Sequence, residues 1–108
     1  MALFTVTVRD NFHGMEEDGY YDLSGFSTWE DAVEYARRLT WNSVEECRAV
    51  EPGQTLEVLR HRFAMFGEVA SVRDGGRRYS GDDEFEFFLA HPATADQRDY
   101  EVLRPTAE

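Results

Sequence analysis

The chain contains no lysine and no isoleucine, and only one cysteine, Cys47, in 108 residues. A lone thiol excludes an internal disulfide framework and fits a reducing compartment. The two missing residue types are encoded mostly by A/T-rich codons, so their joint absence points to a GC-rich genome, that of a bacterium or its phage. Long apolar runs are missing too. No stretch approaches the ~20 apolar residues that a membrane helix needs, and "MALFTVTVRD" lacks the basic lead and the apolar length of a secretory signal. These absences lead to the expectation of a bacterial cytosolic protein. Positive charge is scarce: eleven arginines face 22 carboxylates, for a formal net charge of −11. Such a balance disfavours direct binding to nucleic acid or anionic lipid, because both require clustered cations.

What is present describes a folded chain. Eight phenylalanines and an apolar share of 42% are too much for a disordered acidic tail or a merely salt-adapted surface. The length suits one domain, expected to span 1–108. Phe4, Val6 and Val8 alternate with Thr5 and Thr7, which predicts a half-buried strand; "YYDLSGF" (20–26) predicts a second, antiparallel to it. Thr28, with Asp31 three residues on, opens a helix whose apolar stripe runs through Trp29, Ala32, Val33, Ala36, Leu39, Ser43 and Cys47. Pro52 and Gly53 break it. Thr55 starts a second helix, expected to turn Leu56, Leu59, Phe63 and Phe66 inward and to stop at Gly67. Residues 68–80 read as a hairpin turning at Asp74-Gly75. Ser80 is expected to cap a third helix with Phe85, Phe88 and Leu89 inward; a strand alternating Phe85, Phe87 and Leu89 is the competing reading. "DYEVL" (99–103) predicts a closing strand, against a short helix started by Thr94 and Gln97. Together these give an α+β fold: a small single domain with an antiparallel sheet packed against two or three helices.

Chemistry finds little purchase. In "DNFHGMEEDGYYD" (10–22), Asp10, His13 and Glu16 are spaced by three, with Glu17 and Asp18 adjacent, an oxygen-plus-imidazole set suited to a transition metal. An EF-hand fails, since Met15 stands where its turn needs glycine, and His61 and His91 are remote. No nucleophile elbow is present, Cys47 falls on an apolar stripe, and "GRRYSG" (76–81) lacks the lysine of a phosphate loop. No enzymatic activity, metal or cofactor is therefore expected; a metal- or ligand-binding loop at His13 is an alternative.

Charge is distributed unevenly. Eight acids and no base lie between Asp10 and Glu34; seven acids and one arginine lie between Asp82 and Glu101; Arg60, Arg62, Arg73, Arg77 and Arg78 fall between the two runs. The expectation is a binding protein whose acids meet a positively charged protein surface. Its binding residues would be Glu16, Glu17, Asp18, Tyr20, Tyr21, Asp22, Asp82, Asp83, Glu84 and Glu86, with Phe12 as a further anchor. In its sharpest form this is a nucleic-acid mimic that inhibits a nucleic-acid-binding or nuclease complex, by analogy with short acidic phage anti-CRISPR and anti-restriction proteins. The competing account pairs acids with arginines inside the fold. A second alternative is a bacterial adaptor or regulator using aromatics such as Trp41 or Tyr35 at its surface. Paired helices are compatible with a homodimer, though nothing specifies a seam.

Asp10-Asn11-Phe12-His13, followed by Met15-Glu16-Glu17, resembles a D-N-F-H-x-M-[DE]-[DE] segment found in a group of short bacterial proteins of unknown function. The likeness continues through Phe26, Thr28 and Ala32 to Met65-Phe66-Gly67, over about residues 3–67, and departs at Gly14, where an aromatic is expected. It implies this order of elements and a helical segment after Ser80. It implies no activity.

Overall fold

The structure, a computed structural model, describes residues 3–13 and 19–105. Strands β1 (Phe4–Asp10), β2 (Tyr20–Phe26), β3 (Glu68–Asp74) and β4 (Arg77–Ser80) form one antiparallel sheet in the order β2-β1-β3-β4. The period-two pattern decides which face is buried. Val6 and Val8 lie opposite Val72 and Ala70 of β3, and all four are buried beneath helix α1 (Trp29–Val50). The other face carries Thr5, Thr7, Asp22, Ser24 and Ser71, as suits an antiparallel sheet covered on one side. The two-residue turn between β3 and β4 is Gly75-Gly76, with Asp74 paired to Arg77. Gly75 has φ of +58°, the left-handed conformation that glycine adopts without penalty.

Helix α1 begins where Thr28 predicts: its Oγ1 accepts the Asp31 amide at 3.0 Å. Its N-terminal half covers the sheet through Ala32, Tyr35, Ala36 and Leu39. Its C-terminal half builds a second core with α2 (Leu56–Phe66) and α3 (Phe85–Ala90), through Trp41, Val44, Leu59, Phe63, Phe88 and Leu89. Trp41 stacks on Phe88 at 5.1 Å between ring centres and donates its indole N–H to the His91 carbonyl at 2.9 Å. Because α1 serves two cores, its buried arc is wider than one stripe. Tyr35 and Trp41, offered above as surface aromatics, are therefore buried.

The start of β3 runs past the end of its pairing with β4, which stops at Ser71 opposite Ser80. Hydroxyls of α1 complete that edge: Ser43 Oγ accepts the Glu68 amide at 2.8 Å and Thr40 Oγ1 the Ala70 amide at 3.0 Å. Gly81 makes the approach possible, since a Cβ there would stand 2.2 Å from Thr40 Oγ1.

Two further expectations are corrected. Leu56 and Phe66 are exposed, not inward; only Leu59 and Phe63 of α2 are buried. They are the first and last residues of a short helix and overhang the surface that α1 and α3 offer. "DYEVL" is not a strand: the tail makes 3₁₀ turns at Asp96–Arg98 and Glu101–Leu103. Thr94 and Gln97 exchange hydrogen bonds of 2.9 and 3.3 Å, and Tyr100 meets Tyr35 edge-to-face at 5.5 Å. Aromatic packing against α1 holds this segment in place of a sheet edge. The segment after Ser80 is helical, a 3₁₀ turn (Gly81–Glu84) leading into α3, with a Ser80–Asp83 capping box. No helix among the described residues is long and apolar enough to cross a membrane.

Candidate functional site

Among the described residues, nine of the eleven arginines form ion pairs, each with a different acid. All four predicted binding acids of the second run are among them. Asp82 meets Arg9 at 3.4 Å, Asp83 meets Arg78 at 4.0 Å, Glu84 meets Arg37 at 3.0 Å and Glu86 meets Arg60 at 2.7 Å. Glu84 also accepts the Tyr79 hydroxyl at 2.5 Å, and burial, then this carboxylate, push the Tyr79 pKa up. Arg37 lies over the Trp41 ring at 4.9 Å. Exposed pairs of this kind add little stability, but each cancels charge where it stands.

The first run is placed differently. Asp22 accepts the Thr7 hydroxyl at 2.8 Å on edge strand β2, whereas residues 82–86 follow β4 at the opposite edge. Asp22 is thus separated from residues 82–86 by β1 and β3. Tyr20 and Tyr21 are both exposed and, as neighbours on a strand, face opposite ways. Tyr21 is on the helix side, its hydroxyl 3.5 Å from Glu68 Oε2. Glu16, Glu17 and Asp18, with the Asp10–His13–Glu16 metal set they adjoin, fall largely outside the described residues. Among those described, no three His, Cys, Asp or Glu side chains gather as a metal site would require.

Three acids without an arginine, Asp10, Glu46 and Glu68, lie near one another at one end of the sheet. Asp10 and Glu68 stand directly opposite each other on β1 and β3, an arrangement that costs stability for like charges. Glu46 of α1 joins their field. The Glu68 carboxyl is raised above its ordinary pKa by burial first, then by Asp10 and Glu46; burial and Glu68 raise the Tyr21 hydroxyl. None of these three acids has an ion pair among the described residues.

The same end exposes apolar side chains. The Asn11 amide donates to the Gly67 carbonyl at 2.9 Å, and Asn11 Nδ2 to the Phe63 carbonyl at 3.0 Å. Phe12 stacks on Phe66 at 5.6 Å. The D-N-F-H and M-F-G segments, more than fifty residues apart, therefore meet. Phe12, Val50, Val58, Met65 and Phe66 are each more than 40% exposed. Between α1 and α2 lies a hollow of about 340 Å³, lined by Ser43, Glu46, Cys47, Val50, Arg62 and Phe66. Cys47 is buried at its floor, and burial pushes the thiol pKa up. Arg62 is held back by Glu51 at 3.0 Å and by Gln54 Oε1 at 3.2 Å.

Sequence reasoning did not single out Glu46, Glu68 or the outer side of α2. Glu68 becomes notable only through its pairing with Asp10, which no local pattern encodes. The outer stripe of α2 was legible: Val58, Met65 and Phe66 recur at helical spacing beside the buried Leu59 and Phe63. No protein-family model, curated protein or solved structure matches this chain.

Proposed function

We propose that this protein is an acidic binding module of its host's cytosol, acting by occupying a positively charged protein surface rather than by catalysis. One observation carries the reading. Nine of the eleven arginines are paired within the fold, while Asp10, Glu46 and Glu68 are left without ion pairs, among the described residues, beside exposed aromatic and aliphatic side chains. Unpaired charge steers association with a partner of opposite sign, and exposed aromatics supply the contact area that holds it. Glu16, Glu17 and Asp18 add three negative charges a few residues from Phe12. The narrower nucleic-acid-mimic form needs a free row of carboxylates. It draws less support from Asp82, Asp83, Glu84 and Glu86, since each faces an arginine.

Affinity capture tests the reading. The protein is immobilised and exposed to a GC-rich bacterial lysate, and retained proteins are released by rising salt and identified by mass spectrometry. Cationic proteins leaving at moderate salt are expected. Displacement of the same proteins by duplex DNA would favour the mimic form. Retention only of neutral or acidic proteins, indifferent to salt, would contradict the proposal.

A further inference from the structure

Among the described residues, no helix or strand covers the outer side of α2, where Phe66 meets only the ring of Phe12. Leu59 and Phe63 face the core, while Val58, Met65 and Phe66 are exposed on the adjoining arc, beside the hollow that α2 shares with α1. Two helices joined by a short turn leave a trough. Its floor is the buried Cys47, and Val50 and Phe66 form its apolar walls. The eleven residues of α2 make a track ~16 Å long, about three turns of a docked helix.

Charge selects the occupant. Glu46 lines the trough, and Glu68 lies just past α2, after Gly67, with Asp10 opposite it; none of the three has an ion pair among the described residues. The cation at the trough, Arg62, is already engaged by Glu51 and Gln54. A second copy of this chain would bring another −11 to the same face, and an anionic membrane would meet the same repulsion. We infer that the α1–α2 trough is a docking site for a cationic amphipathic helix on a partner protein. The apolar face of that helix rests on Val50, Met65 and Phe66, and its lysines or arginines reach Glu46 and Glu68. The inference rests on the acidic-module reading above and adds to it the place and the shape of the ligand.

The test uses three synthetic peptides of about 18 residues, or five helical turns. One is a leucine–lysine helix with leucines at i, i+3, i+4 and i+7, one is its scrambled isomer of equal charge, and one is the same helix with glutamate for lysine. Affinity is read by calorimetry, and occupancy by the alkylation rate of Cys47, the sole cysteine. The patterned cationic helix is expected to bind at least ~10-fold more tightly than its scramble and to slow alkylation of Cys47. Val50→Ser with Phe66→Ser, both exposed positions, should cost about 10-fold in affinity and leave the circular dichroism unchanged. Equal binding by patterned and scrambled cationic peptides, with Cys47 unprotected, would overturn the trough as the site and leave the acidic-module reading standing. Failure of both cationic peptides to bind would overturn the two together. Binding of the glutamate helix as tight as that of the lysine helix would overturn the choice of a cationic occupant.

Discussion

Thr40 ties α1 to β3. Its hydroxyl donates to the Ala36 carbonyl at 2.9 Å and accepts the Ala70 amide, where β3 has outrun β4. Thr40→Val keeps the shape and removes the acceptor, leaving a buried amide unsatisfied, at a cost of about 1–3 kcal/mol. Urea unfolding should register that loss, and hydrogen exchange should find the Ala70 amide less protected. Glu68 makes the opposite kind of prediction. Its folded-state pKa lies above the unfolded value, so ionisation opposes folding, and its favourable contribution is lost as pH rises through the folded pKa. Glu68→Gln should therefore melt at a higher temperature than the parent at pH 7. The difference should shrink towards zero near pH ~3, below the ordinary glutamate pKa, where the carboxyl is protonated in both states. A lower melting temperature at pH 7 would show that the Tyr21 contact outweighs the repulsion from Asp10 and Glu46.

At the scale of elements, α1 is the organising piece, and Arg48 shows how it holds α3. Arg48 meets Glu45 through both Nε and Nη2, at 3.0 and 2.9 Å, and donates to the carbonyls of Phe88 at 2.9 Å and Leu89 at 3.1 Å. It thus pairs a buried carboxylate and satisfies the last turn of α3. Arg48→Met should cost about 3 kcal/mol, since Glu45 is left buried and unpaired; chemical denaturation would measure it, and exchange should rise first in α3. Much of this layer was legible in the chain. The Thr28 and Thr55 caps, the Phe4–Val6–Val8 alternation and the break at Pro52-Gly53 are local patterns, and local energetics decide them. The burial of Tyr35 and Trp41 was not legible, because it depends on α1 lying between a sheet on one side and two helices on the other. Nor was the fate of the tail, since Tyr100 packs on Tyr35 of α1, a contact between residues far apart in the chain. The site was less legible than the fold. Glu84 and Arg37 are 47 residues apart, and only the folded chain shows that the predicted acid is already engaged.

For the whole molecule, the −11 charge is not an even coat. Acids at residues 82–86 meet arginines, while Asp10, Glu46 and Glu68 stand free of them beside Phe12, Phe66 and Met65. The central claim is that the free acids, and not the paired ones, carry recognition. Glu46→Arg and Glu86→Arg change the net charge equally and separate the two classes. The deciding measurement is the affinity of each variant for the patterned leucine–lysine helix, by calorimetry at low and moderate salt. Glu46→Arg should weaken binding about 10-fold, with a shallower salt dependence, and Glu86→Arg should stay within about 2-fold of the parent. Equal losses in the two variants would mean that the charge acts only as a diffuse field, and would contradict the claim.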